Sequence, residues 1–199
     1  MKLQRILPTP GACSDILNAR INAQIQEAKP MQVGWLTPQA EVRNAGLKGQ
    51  GVYALTRILA GQTVAAFGGH IVTAEELHEL PRWQLERSLQ VDQQLFLTTT
   101  ELEDPADFIN HSCQANCGFL GSNMLRSMKD IEIGEELSFD YAMSDSAPYD
   151  EFECHCGSPI CRGHVQADAW KSPETQQQYA GFFSSYLQLQ IDDQARGHA

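Results

Sequence analysis

The sequence predicts a mainly β domain of short strands with a helix at each end, and three observations carry that prediction. Between Val52 and Asp140 the β-type segments are brief and repeatedly interrupted by glycine or polar pairs. The one clear helix-start signature inside that span is soon closed off by Pro81. Long runs of helical apolar spacing fall only towards the two ends.

Taken in order, Ser14 to about Glu27 carries Ile16, Leu17, Ile21 and Ile25 at helical spacing behind a Ser14 N-cap, an amphipathic helix suited to packing. A loop rich in Pro and Gly follows from Pro30 to Gly51. From Val52 to about Thr73, short β segments punctuated by Ala60-Gly61 and Gly68-Gly69 read as hairpins. Thr73-Ala74-Glu75-Glu76 is a capping box that starts a short helix ending before Pro81. Leu89 to Thr99 reads as two strands around a polar turn, and further strand segments lie at Gly118 to Leu125 and Glu136 to Asp140. Ser172 and Pro173 suit the N-cap and first position of a helix whose apolar face is Tyr179, Phe182, Phe183, Tyr186, Leu187 and Leu189. Such a face docks on the domain, and Asp192 to Ala199 is expected as a frayed polar tail.

A chain of 199 residues with 42% apolar and 20% charged residues is long enough for one main domain with its own core. The net charge of −11, with no basic run, argues against direct nucleic-acid binding and would attract basic peptides, or simply maintain solubility. Pro8 and Pro10 interrupt the N-terminus before a secretory apolar region forms, and no stretch approaches the roughly 20 apolar residues that span a bilayer. The expectation is an intracellular, soluble protein with no membrane partner, cytoplasmic, or nuclear in a eukaryote.

Four segments carry chemistry. Lys48-Gly49-Gln50-Gly51-Val52-Tyr53-Ala54 brings two glycines into a strand; their backbone can approach a polar ligand closely, or merely turn. Asp107-Phe108-Ile109-Asn110-His111-Ser112-Cys113-Gln114-Ala115-Asn116-Cys117 sets polar and reactive groups behind an apolar pair, either a site or a surface loop. Gly134-Glu135-Glu136-Leu137-Ser138-Phe139-Asp140-Tyr141 is a turn, a strand and a tyrosine whose hydroxyl could orient a reacting group or whose ring could simply pack. Cys154, Cys156 and Cys161 cluster around a Gly-Ser-Pro turn with spacing that suits tetrahedral Zn²⁺. The fourth ligand is naturally Cys113, with Cys117, His111 and His155 in competition.

In this succession the segments resemble the SET-domain methyltransferases with a post-SET zinc cluster, over about Lys48 to Gly163. The resemblance implies several small antiparallel sheets whose Asn-His and Tyr segments cross in a pseudoknot. It divides the chain into an N-terminal extension (1–32), the SET domain (33–146), a post-SET segment (147–166) and a C-terminal helix and tail (167–199). It assigns S-adenosyl-L-methionine to Lys48, Gly49, Gln50, Gly51, Tyr53, Asn110, His111 and Tyr141, with Phe152 against the adenine. Tyr141 becomes the catalytic tyrosine, Phe67 and Phe139 line the substrate channel, and Cys113, Cys154, Cys156 and Cys161 hold a structural zinc. The implied partner is a protein or peptide presenting lysine, histone or non-histone.

The implied reaction is an in-line methyl transfer from sulfonium to amine, which needs alignment and a neutral lysine, whose reference pKa is about 10.4. The chain departs from the family pattern at Asp107, where many relatives have Arg, an exchange of charge expected to bear on cofactor contacts. It also has Ala115 for a usual proline and Phe67 for a common tyrosine, the last removing a hydroxyl from the channel. No cysteine-rich segment stands upstream, since Cys13 is alone there. The alternatives are a SET-like binding module that has lost transfer and a purely structural zinc protein.

Overall fold

The computed structural model describes residues 34–197; the helix expected over Ser14 to Glu27 lies outside them. The described chain is mainly β. Its first sheet has the order β1 (Trp35–Leu36), β4 (Thr63–Ala66), β10 (Met124–Ser127), β9 (Cys117–Leu120). The second runs β2 (Ala40–Asn44), β3 (Gln50–Ala54), β11 (Glu136–Phe139), β8 (Asn110–His111), and the third β5 (His70–Thr73), β7 (Leu95–Thr98), β6 (Leu89–Asp92). A small hairpin pairs β12 (Phe152–Glu153) with β13 (His164–Val165). The helices are α1 (Ala74–His78), α2 (Arg82–Leu85), α3 (Pro173–Gln178) and α4 (Ser185–Gly197).

One pairing sets up the site. β8 and β11 run parallel, with Asn110 opposite Ser138 and Phe139 opposite His111, while the other paired strands are antiparallel. The chain leaves β8, forms β9 and β10, then returns alongside its own earlier course. Ser112 N–H donates to the Phe139 carbonyl at 3.1 Å and Asn116 N–H to that of Ser138 at 3.2 Å. Asn116 locks the crossing through its side chain, accepting from Ser138 N–H at 2.9 Å and donating to the Glu136 carbonyl at 2.8 Å. This is the interlocked arrangement expected for the Asn-His and Tyr segments.

The capping box at Thr73 and the hairpin at Leu89 to Thr99 stand as the sequence predicts. Three expectations are corrected. Part of the segment assigned as loop before Gly51 holds β1 and β2, and β2 makes a hairpin with β3. The segments from Val52 to Thr73 are strands but not hairpins: β3, β4 and β5 belong to three different sheets, because partners distant in sequence outbid neighbours. The C-terminal helix is broken in two, since Gly181 has φ +81°, and α4 continues through Asp192 to Gly197 instead of fraying.

That break positions the C-terminal segment. A Cβ on Gly118 would come 2.6 Å from Phe182 Cβ, so glycine lets the Phe182 ring lie directly on β9. Phe119 N–H donates to the Phe182 carbonyl at 2.9 Å, and Tyr179, Phe183, Tyr186 and Leu187 join the main core. Tyr179 Oη and Gln178 Nε2 donate to the Cys113 carbonyl at 2.8 and 2.9 Å, while Ser184 N–H donates to that of Met143 at 2.8 Å. The segment thus braces, from behind, the two stretches that carry the site.

Candidate active site and zinc cluster

Cys113 follows β8 and Cys154 follows β12; with Cys156 and Cys161 their four Sγ atoms all lie within 4.8 Å of one another. Zn–S bonds of about 2.3 Å in a tetrahedron put sulfurs about 3.8 Å apart, and Cys113 and Cys154 are 3.8 Å apart. The set fits zinc and leaves no open coordination position. Burial opposes ionisation of Cys156, but hydrogen bonds from backbone N–H groups and neighbouring thiols bring it down to about 7, favouring the thiolate a metal needs. The competitors fall away: Cys117 is buried against Asn116 Oδ1 at 3.4 Å, and its thiol is pushed up to about 12 by burial. His155 is largely exposed, and His111 touches Cys113 Sγ at 3.4 Å from the core side.

His111 connects the cluster to the tyrosine. Its Nδ1 accepts from Tyr141 N–H at 3.3 Å, which leaves Nε2–H to face Cys113 Sγ. Burial pushes the imidazole down to about 4 despite Asp140, 3.6 Å away, so it is neutral. Asp140 is fully buried and engaged by Arg162, whose guanidinium donates to both carboxylate oxygens at 2.7 Å. That bidentate pair ties the post-zinc loop to the end of β11.

Two cavities meet at Tyr141. A cleft of about 280 Å³ is bordered by Leu47, Lys48, Asn110, His111, Tyr141 and the stretch from Phe152 to Cys156. The Phe152 ring stands edge-on to Tyr141 and His111, with centroids 6.0 and 6.2 Å away. Asn110 Nδ2 donates to the Gln50 carbonyl at 2.9 Å and to Glu136 Oε1 at 2.8 Å, and Lys48 pairs with the other Glu136 oxygen. Gly51 is required here: a Cβ would meet Glu136 Oε1 at 2.8 Å and Asn110 Nδ2 at 2.9 Å.

The second cavity, about 30 Å³, has Phe67, Phe139 and Tyr141 in its wall with Leu89 and Ile109, and its charged side chains are the carboxylates of Glu86, Asp107, Asp145 and Asp150 with the Arg87 guanidinium. Phe139 packs 4.8 Å from Tyr141 and 5.8 Å from Phe67. Burial pushes the Tyr141 phenol well above its ordinary value, so it remains protonated.

Most of the site residues expected from sequence are therefore brought together. Gln50 and Gly51 support the cleft through Asn110 without bordering it, and Gly49 neither borders it nor touches Asn110. Tyr53 lies apart on β3, its ring 5.7 Å from the Arg43 guanidinium. Asp107, expected to bear on cofactor contacts, instead borders the aromatic cavity. Sequence reasoning missed Asp145 and Tyr149, although both follow Tyr141 within eight residues, and the Arg162–Asp140 pair, whose only signal is Arg beside a ligand cysteine.

Residues 49–142 match the family described as SET domain. Over that stretch the chain is similar to the SET-domain family, and the relatives it matches are named as histone-lysine methyltransferases. It is 26% identical over 189 residues to the histone-lysine N-methyltransferase Su(var)3-9 of Drosophila melanogaster, covering 80% of this chain and 30% of the relative. It is 28% identical over 176 residues to an H3 lysine-4 specific histone-lysine N-methyltransferase of Emericella nidulans, covering 81% of this chain and 14% of the relative. It thus spans less than a third of these curated relatives. Among solved structures, Arabidopsis thaliana SUVH6 in complex with SAM shares the fold, with TM-score 0.56 and 18% identity over 66% of this chain and 34% of that one. Among the described residues no helix is long and apolar enough to cross a membrane.

Proposed function

We propose that this protein transfers a methyl group from S-adenosyl-L-methionine to the ε-amine of a lysine presented by a protein or peptide. The observation that carries this reading is the meeting of the two cavities at one ring, Tyr141, with the cleft bordered by Lys48, Asn110 and His111 on one side and an aromatic cavity on the other. The bound cofactor supplies a methyl on positively charged sulfur. Lys48, Asn110 and His111 hold it in the cleft, with the adenine against Phe152, and Gln50 and Gly51 fix Asn110. Phe67 and Phe139 exclude water around the lysine side chain, which favours its neutral form. The Tyr141 hydroxyl, still protonated, orients the reacting groups and does not take the proton. Zinc on Cys113, Cys154, Cys156 and Cys161 is structural and holds Phe152 over the cleft.

The relatives' names and the SAM complex of a structural neighbour support the same chemistry. Histone tails are one substrate class within it, and the charge of −11 favours basic peptides in general. The test pairs thermal shift with S-adenosylhomocysteine and mass spectrometry of lysine peptides incubated with the methyl donor. The expected result is stabilisation and lysine methylation. Stabilisation without transfer would leave a binding module, and neither would leave a structural zinc protein.

A further inference from the structure

Asp145 sits in the aromatic cavity and not in the cleft, hence on the amine side of Tyr141. Its Oδ1 lies 3.0 Å from Tyr149 Oη and 3.1 Å from Ser144 Oγ. Each of those hydroxyls also has a backbone acceptor within reach: the Ser88 carbonyl, 2.9 Å from Tyr149 Oη, and the Tyr141 carbonyl, 3.3 Å from Ser144 Oγ. A hydroxyl has one proton and can serve one acceptor at a time. With Asp145 ionised, both hydroxyls turn to the carboxylate. With Asp145 protonated, both turn to backbone carbonyls, and Tyr149 Oη is free to accept the new O–H. Neither state strands a buried donor, which is the condition for a group that gains and loses a proton without a large reorganisation cost.

We propose, resting on the methyl-transfer reading, that Asp145 is the catalytic base that takes a proton from the substrate lysine ammonium. One ammonium N–H bond breaks and its proton moves to an Asp145 oxygen. The freed nitrogen lone pair forms the N–C bond to the donor methyl as the S–C bond breaks, and that bond's electron pair stays on sulfur, converting sulfonium to thioether. The product leaves as a methylated ammonium, and the proton on Asp145 passes to water past Asp150 and Glu86, so each methyl transferred releases one proton.

The surroundings suit the task. Burial pushes Asp145 up to about 7, with Asp150 acting in the same direction and the two hydroxyls opposing, so both forms are populated near neutrality. Asp107, across the cavity, is pushed up to about 8 by burial and by Asp104 despite Arg87, so it holds its proton at neutral pH. The other ionisable groups nearby are the Arg87 guanidinium, which lines the same cavity, the phenols of Tyr141 and Tyr149 and, behind them, that of Tyr186, the three phenols all pushed up by burial and uncharged.

The test compares wild type, Asp145→Asn and Tyr149→Phe as full-length, zinc-loaded protein. It reads kcat against pH on a peptide that wild type methylates, together with the Kd for S-adenosylhomocysteine. Asp145→Asn should lower kcat at pH 7 by about 10²–10⁴-fold, with Kd unchanged, and recover as pH rises towards the lysine's own pKa of about 10.4. Tyr149→Phe keeps the ring on Phe96 but removes a donor to the carboxylate, so its acid limb should move to higher pH. Wild-type kcat in Asp145→Asn, or a loss equal at every pH, would overturn the assignment. Transfer undetectable with wild type would overturn the methyl-transfer reading and this assignment with it.

Discussion

Replacing Arg162 with Met keeps the length of the side chain but removes the guanidinium that donates to both oxygens of Asp140. Asp140 is fully buried and would keep the Ala142 N–H bond at 3.0 Å, with the Tyr179 hydroxyl beside it. Removing one partner of a buried ion pair costs about 3–5 kcal/mol because the other charge is stranded. The residual backbone bond and the partial exposure of Arg162, 27%, favour the lower end. For a chain of this size about 3 kcal/mol corresponds to a Tm lower by roughly 6–12 °C. The assay is thermal unfolding of zinc-loaded protein, with Asp140→Asn added to Arg162→Met as a control. Because the deficit comes from a stranded charge, the double variant should regain part of the loss. A loss below about 1 kcal/mol, or a double variant no more stable than the single, would refute the account of this pair.

Three further outcomes follow from the same geometry. Gly51→Ala forces a Cβ against Asn110 and Glu136, so isothermal titration should show S-adenosylhomocysteine binding weakened at least about tenfold, or about 1.4 kcal/mol, with the fold retained by circular dichroism. Cys154→Ser, or stripping metal with a chelator, should lower Tm and weaken cofactor binding together, because Cys154 both belongs to the sulfur cluster and borders the cleft. Asp107 has its folded pKa raised to about 8 and a buried Oδ2 without a hydrogen-bond partner among the described residues. The stability it contributes is present at low pH and lost as pH rises through about 8, so Asp107→Asn should flatten the fall in Tm between pH 6 and pH 9.

The chemistry was more legible in the sequence than the topology. Three cysteines within eight residues constrain geometry through chain length alone, so the sulfur cluster could be anticipated, with only its fourth member left open. Strand segments were visible because alternation and glycine punctuation are local signals. Their partners were not: β3 finds β11, and β4 finds β10, across many intervening residues, through burial of faces that no local pattern encodes. The break at Gly181 was hidden because Phe182 and Phe183 continue an apolar run, and only the bare surface of Gly118 explains where Phe182 goes. Asp145 escaped notice for a related reason. An acid in a polar stretch reads as surface, and its role depends on Ser88 and Tyr149, which the fold brings beside it.

The central claim is that Tyr141 is the shared wall between donor and acceptor, aligning the reaction without holding the cofactor's affinity. The most direct measurement is the split between kcat and the Kd for S-adenosylhomocysteine in wild type and Tyr141→Phe, with methylated lysine identified by mass spectrometry. The expected result is lysine methylation by wild type and a kcat lowered at least about tenfold in the variant, at a nearly unchanged Kd. Undiminished kcat in Tyr141→Phe, or tight binding by wild type with no methylated lysine, would contradict it.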